Sequence, residues 1–433
     1  MIEDFLSTHN FNLLQTIIVA IGYLMPIPLA YIALNLWHTY RQDRFIAGIE
    51  WVLLEIQVPR DIVKTPAAME LIFSNAFYHQ SGKGFWERYI MGAPWFWFSL
   101  EIASIEGKVH FFVRLPTRFR RLVETQIYGQ YPQAKVVEVE DYTNNVPQYK
   151  KDCGWNMWGC EFTKKREHFY PIKTYKNFGD EMKTGIKEEF KVDPITPIIE
   201  YLGALPKGQQ VWIQIVIRQC VTKYYSKKKG KEVDFYSYAE ESLKELLQEY
   251  TKYSPKAGVG GIDTFEVRPP SFIEPTIKQV ATSLSQIHFD CGIRLITLAD
   301  KKFSPDDEFN NLRKDVRLLF RQFAQPSINE FDRINSTQFD APWSDPTGLA
   351  LHKIKKRMLD FYRMRTFFHT PLQYSIKYPK LISSFFPSNN PKIFVLSSEE
   401  LATIYHFPGM VSETPSFKRL ESKIAKPPSN LPM

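Results

Sequence analysis

The 433-residue sequence has only four cysteines and nine histidines, and neither type clusters. Four thiols in a chain this long give no disulfide framework. Cys153 and Cys160 stand too far apart for a CxxC half-site, and no neighbouring histidine pair completes a zinc set. All four cysteines read as reduced thiols. Also missing is a GxxxxGK[ST] loop, whose backbone amides would hold phosphates. GQYPQAK lacks the second glycine, and GVGGIDT has no lysine. No HExxH occurs, and EIASIEGK is not a GxSxG nucleophile elbow. Acidic residues are plentiful, but no pair stands out from ordinary surface charge, and His406 reads as a packing or capping residue. The expectation is a protein that is not an enzyme, with no catalytic residue, no metal and no cofactor. An active site built without a known motif is the outside alternative.

What the chain does have is apolar and aromatic residues, at 44% and 15%, with a net charge of +8. That composition supports packed cores, and the modest positive excess allows attraction to phosphates or anionic lipid. From Leu13 to Trp37, LLQTIIVAIGYLMPIPLAYIALNLW carries no charge. As a helix of about 25 residues it crosses a ~30 Å hydrocarbon core, with Pro26 and Pro28 expected to kink it. The preceding segment is acidic (Glu3, Asp4), unlike the basic front of a signal peptide. Trp37 and Tyr40 read as an interfacial belt; His38, Arg41 and Arg44 follow. The positive-inside rule then puts residues 1–12 outside the cell membrane and the body in the cytoplasm, a single-pass arrangement.

The fold class read from the pattern is α+β: one N-terminal transmembrane helix (13–37), two ferredoxin-like βαββαβ units, and a C-terminal helical and extended tail. In the first unit (45–143), WVLLEIQVP is a strand. TPAAMELIFSNAFYH is a helix with Thr65 as cap and Pro66 at its first position. WFWFSLEIASI and KVHFFVRLP form a hairpin across Glu106–Lys108. RFRRLVETQIYGQYP is helical, and AKVVEVEDY closes the unit as a strand. Helices are expected on one sheet face, leaving the other available. The second unit (155–335) repeats the order, with EFTKKREHFYPI as its first strand, QQVWIQIVIRQC and HFDCGIRLITLA inside, and a basic insertion at 222–273. The helix SPDDEFNNLRKDVRLLFRQF is expected to be capped by Ser304. In the tail (340–433), HKIKKRMLDFYRMRTFFH is helical, KIFVLS is a strand, and Ser398 caps EELATIYHF. KPPSNLPM suits an extended linker.

Several segments together resemble the membrane-anchored N-terminal region of prokaryotic conjugation-type, type IV secretion-like ATPase proteins: WVLLEIQVPRDIVKTPAAMELIF, FSLEIASIEGKVHFFVRLP, VETQIYGQYPQAKVVEVEDYT, MLDFYRMRTFFH and FVLSSEELATIYHFPGMVSETP. In that family comparable regions precede, or are encoded beside, a hexameric DNA-translocating ATPase, and KPPSNLP is similar to the linker entering the motor. The sequence ends where the motor would begin, so no catalytic residue carries over. The resemblance implies a membrane-anchored, non-catalytic scaffold that docks a separately encoded ATPase. Its docking face would be offered by Glu400, Leu401, Tyr405, Phe407 and Pro408. The alternative is a single-pass protein binding nucleic acid or anionic lipid directly through Lys223, Lys227, Lys228, Lys229 and Lys231, with no motor partner. Homo-oligomerisation stays open.

Overall fold

The computed structural model describes residues 15–16, 18–20, 22–59, 64–78, 83–150, 153–180, 193–226, 228–252, 271, 273–325, 328–339, 343, 345–375 and 391–408. The expected outer segment (1–12) and the terminal linker lie outside them, as does Lys227. The chain divides into two compact units. One gathers Met1–Glu50, Ser81–Trp95 and Phe368–Asn390; the other gathers Trp51–Gln80, Phe96–Phe367 and Pro391–Met433.

The first unit is built on helix α1 (Ile18–Ala47), which is long and apolar enough to cross a membrane and has none of its apolar window buried. The backbone at Met25 is helical, and the Leu29 N–H reaches the Met25 carbonyl at 3.2 Å, so the helix continues through the two prolines. It also runs past Trp37 to Ala47. There Asp43 accepts hydrogen bonds from His369 Nε2 at 2.5 Å and from the Leu372 N–H at 2.7 Å.

The second unit is a mixed α+β body around one large sheet. Its elements run β1 (Trp51–Gln57), α2 (Pro66–Ile72), β2 (Phe98–Ile105), β3 (Lys108–Pro116), α3 (Arg120–Gln130), β4 (Lys135–Glu138), β5 (Trp155–Lys164), α4 (Tyr175–Asp180), α5 (Thr196–Gly203) and β6 (Gln209–Gln219). Then follow β7 (Tyr224–Ser226), β8 (Lys231–Val233), α6 (Phe235–Lys252), α7 (Glu274–Leu284), β9 (His288–Asp300), α8 (Asp306–Leu318), β10 (Phe331–Ile334), α9 (Leu349–Arg363), β11 (Phe394–Ser397) and α11 (Ser398–Ile404), with α10 (Leu372–Ser375) belonging to the first unit. The sheet order is β10-β5-β9-β6-β2-β3-β1-β4, all antiparallel, and β11 pairs the start of β9. Its middle seam joins β2 to β6 over Phe98–Ile105 and Gln210–Ile217.

Local chemistry accounts for these elements. β3 alternates between two buried faces: Phe111, Val113 and Leu115 turn to one, and Phe112 to the other. Glu106 (φ 53°) and Gly107 (φ 80°) turn the hairpin, both in the left-handed conformation that a tight two-residue turn requires. The N-cap of α8 is Pro305 rather than Ser304, whose hydroxyl donates instead to Glu308 at 3.4 Å. Thr65 is the N-cap of α2, although its hydroxyl makes no capping bond. β5 begins at Trp155, earlier than the expected EFTKKREHFYPI strand, and ends at Lys164.

One sheet face buries Val52, Leu54, Ile102, Phe111, Cys160, Ile213 and Ile293 beneath α2, α3, α5, α8 and α11. The other face is not free, as the sequence had led us to expect. α9 and the segment around Tyr142 cover it, and Met358, Leu359 and Tyr362 pack on Leu53, Phe112, Met157, Trp212 and Ile296. The Phe367 ring lies so close over Gly292 that a Cβ there would sit 2.2 Å from it, so only glycine fits. From the insertion, Phe235 and Ala239 join a smaller cluster with Phe169, Val280 and Val395.

Candidate functional site

The expected docking face lies inside the protein. Leu401 and Tyr405 are fully buried, Phe407 and Glu400 are 1% exposed, and Pro408 is buried as well. Tyr405 and Phe407 pack edge-on against Phe111, and the Tyr405 hydroxyl donates to the Phe112 carbonyl at 3.1 Å. The helix stripe read as a partner surface is thus part of the core. Its cap is Ser397 rather than Ser398: the Ser397 hydroxyl accepts from the Glu400 N–H at 3.3 Å, and Glu400 Oε2 accepts from the Ser397 N–H at 2.8 Å. His406 packs as expected, with Nδ1 at 2.8 Å from the Ala402 carbonyl and Nε2 at 2.7 Å from Asp193.

The same junction does form one wall of an open groove of about 280 Å³. α4 and the segment before it supply Thr174, Lys176 and Asn177; α7 supplies Lys278, Gln279 and Thr282; Gln286, Ser397 and Glu399 close it. Glu399 Oε2 accepts from Lys176 Nζ at 2.6 Å and from Gln286 Nε2 at 2.5 Å. That fixes the Gln286 amide, and its Oε1, like Gln279 Oε1, is buried with no donor among the described residues. A buried carbonyl without a donor costs about 1–3 kcal/mol, a local loss of stability beside the groove. Its size suits a side chain or a short peptide segment.

The expected basic patch is a surface hairpin, β7–β8. Lys223, Lys228, Lys229 and Lys231 are exposed, and Tyr225 is 63% exposed beside them. Glu241 accepts from the Lys228 N–H at 2.9 Å and from the Ser226 hydroxyl at 2.5 Å, which ties the turn to α6. At its root, His168 Nδ1 meets the Tyr224 hydroxyl at 2.8 Å, and His288 lies against the rings of Phe235 and Tyr236. Burial, with Lys164 adding to it, pushes His168 down to about 4 and His288 down to about 3. In the unfolded chain both take a proton near pH 6.5, whereas the folded protein resists it, so stability falls as pH drops from 6.5 toward 4. The slope is at most about 1.4 kcal/mol per pH unit per histidine. Chemical denaturation between pH 7 and 4 is expected to follow it, and His168→Gln to flatten it.

The expected interfacial residues sit on α1: Trp37 is 44% and Tyr40 46% exposed, Arg44 is exposed, and Arg41 Nε donates to the Ile90 carbonyl at 3.0 Å.

The sequence reading missed a buried polar row across the α9-facing side of the sheet. In register it runs Glu55, Phe112, Glu101, Gln214, Arg294 and Glu161. Arg294 donates to Glu161 at 2.7 Å and to Gln214 at 3.0 Å; Gln214 donates to Glu101 at 3.2 Å. From above, Arg365 donates to Glu101 at 2.9 Å and to Asp141, and the Tyr142 hydroxyl donates to Glu101 at 2.8 Å. Burial works against the Glu101 charge, but the Arg365 guanidinium and the hydrogen bonds outweigh it and hold the carboxyl below its ordinary value. Burial and the Glu101 charge push Tyr142 and Tyr362 well up. One signal could have found the row: a single polar residue amid apolar ones in SLEIAS, GCEFT, WIQIV and GIRLI.

A family model described as a domain of unknown function (DUF8128) matches residues 52–306, more than half of the chain. The chain belongs to this family. The DUF8128 region takes in the row from Glu55 to Arg294 and the basic hairpin, whereas Arg365 and Glu400 come from sequence beyond it. No curated protein matches the sequence.

Proposed function

We propose that this DUF8128 protein is a membrane-anchored, non-catalytic platform that docks a separate polypeptide, the ATPase of a conjugation-like or type IV secretion-like DNA-transfer system. In this reading α1 spans the cell membrane, with His38, Arg41 and Arg44 on the cytoplasmic side together with the body. Each half of the sheet is read as a ferredoxin-like unit; the orders β4-β1-β3-β2 and β10-β5-β9-β6, each with βαββαβ connectivity, support that. A non-catalytic role is supported by the way Glu101, Glu161, Arg294 and Arg365 neutralise one another away from solvent.

The observation that carries the proposal is the open groove of about 280 Å³ beside Glu399, lined by Lys176, Asn177, Lys278, Thr282 and Ser397. A partner segment lying there in extended form would meet the Asn177, Lys278 and Thr282 side chains. The basic hairpin favours a second reading, direct binding to nucleic acid or anionic lipid, because Lys228, Lys229 and Lys231 are exposed together with Tyr225.

Affinity purification of the full chain from detergent-solubilised membranes, read by mass spectrometry, tests both. The expected result is a co-eluting ATPase with a phosphate-binding GxxxxGK[ST] loop, lost with Gln279→Ala/Lys278→Glu and retained with Lys228→Gln/Lys229→Gln. An ATPase retained by the groove variant would remove the groove from the proposal. Nucleic acid in its place, released by salt and lost with the lysine variant, would favour the hairpin.

A further inference from the structure

Within the first unit, residues 83–95 are stapled to the end of α1, and they carry an unusual surface. A single helical turn, Trp86–Ile90, follows Phe85. His38 Nε2 lies 3.2 Å from the Arg88 carbonyl, Arg41 Nε donates to the Ile90 carbonyl at 3.0 Å, and the His38 and Tyr89 ring centroids are 5.8 Å apart. Gly92 (φ +76°) runs so close to α1 that a Cβ would sit 2.6 Å from the Arg41 backbone. The segment is therefore held at the level where the uncharged run of α1 gives way to His38 and Arg41.

Its outward side chains are large and apolar. Phe85 is 73% exposed, Trp86 67%, Met91 46% and Tyr89 43%. Phe85 and Tyr89 pack on each other at 4.8 Å between centroids, so the rings form one patch. Trp37 and Tyr40 are also exposed near the same end of α1, and Arg44 and Arg88 are exposed as well. Clustered aromatic rings with interspersed cations match the boundary between acyl chains and phosphate headgroups, where Trp and Tyr concentrate and basic side chains meet anionic lipid. A patch of this kind facing water would be an aggregation liability.

We propose that Phe85–Met91 is a second membrane contact: an interfacial element whose rings enter the headgroup–acyl boundary of the leaflet at the C-terminal end of α1. Its ligand is the phospholipid interface, and it would fix the rotation of α1 about its axis. The proposal rests on α1 spanning the bilayer, and the test separates the two. The full chain is reconstituted in nanodiscs of phosphatidylethanolamine and phosphatidylglycerol, with the photocrosslinker p-benzoylphenylalanine placed singly at position 86, 34 or 318. Leu34 lies in the apolar run of α1, and Leu318 is an exposed residue of α8. After irradiation, peptides carrying positions 86 and 34 are each expected to gain the mass of one phospholipid, and the peptide carrying position 318 to gain none. An adduct at 34 without one at 86 overturns the interfacial element and leaves the span intact. Adducts at neither overturn both. Equal adducts at all three positions overturn the claim that the contact is local to this element.

Discussion

Arg365→Ala is expected to destabilise the body by about 3–5 kcal/mol, because it strips the counter-charge from Glu101, a carboxylate that cannot reach water. Arg365 and Glu101 are both fully buried, with Nε to Oε1 at 2.9 Å and Nη2 to Oε2 at 3.1 Å, a two-point pairing. The same guanidinium holds Asp141, and its charge keeps both carboxyls below their ordinary range against the opposing effect of burial. Removing it leaves the Glu101 charge facing Tyr142 and the Gln214 amide, which cannot neutralise it, while Asp141 keeps partial access to water. Backbone conformation offers a control. Arg365 sits at φ 50°, where a residue with a Cβ is strained by about 1–2 kcal/mol. Arg365→Gly loses the same charge but relieves that strain, so it is expected to be more stable than Arg365→Ala by about 1 kcal/mol. Neutralising all partners, with Glu101→Gln, Asp141→Asn and Arg365→Met, is expected to recover most of the loss, since a buried ion pair contributes little over an apolar or neutral replacement of similar volume. Denaturant midpoints in detergent measure all three. Equal midpoints for wild type and Arg365→Ala would mean that water reaches the network.

Much of the architecture was legible because it depends on short-range patterns. KVHFFVRLP is a strand over its full length, the Glu106–Gly107 turn follows from glycine tolerating positive φ, and Asp306–Leu318 shows helical spacing at Phe309, Leu312 and Val316. The order of elements followed from these pieces. What failed depends on partners far away in sequence. Glu400 read as part of a docking face, because glutamate at a helix start usually stays at the surface. Nothing near it in the chain announces Lys164 or the Ile172 N–H as its partners. Leu401, Ile404 and Tyr405 form only a narrow apolar stripe in sequence, yet every residue of Ser398–Ile404 is buried. The polar side of that helix meets charges and hydroxyls from elsewhere: Ser398 reaches Glu70 at 3.2 Å, and the Thr403 hydroxyl accepts from the Tyr175 N–H at 2.9 Å. The second sheet face was misjudged for a similar reason. α9 read as a basic helix of the tail, and its Met358, Leu359 and Tyr362 gave no hint of which surface they would close.

Glu400→Ala decides whether the C-terminal strand and helix are scaffold or bait. If Glu400 were part of a docking surface, its removal would leave folding intact and abolish only an interaction. The geometry predicts the reverse. Glu400 Oε1 lies 2.7 Å from Lys164 Nζ, with both side chains 1% exposed, and it accepts the Ile172 N–H at 2.8 Å. Oε2 completes the capping box by accepting the Ser397 N–H. One carboxylate thus joins the end of β5, the segment leading to α4, and the turn between β11 and α11. Its loss strands an ammonium group in the interior and leaves two backbone N–H groups without acceptors. The expected cost is about 3–5 kcal/mol for the broken buried pair, with about 1 kcal/mol more for the cap. Glu400→Gln keeps an acceptor but no charge, so it should fall between wild type and Glu400→Ala; Lys164→Met added to it removes the stranded ammonium and should raise stability again. That reversal, read as a double-mutant cycle by chemical denaturation, is the signature of a buried pair. A Glu400→Ala protein as stable as wild type would instead place this helix outside the core and restore it as a partner surface.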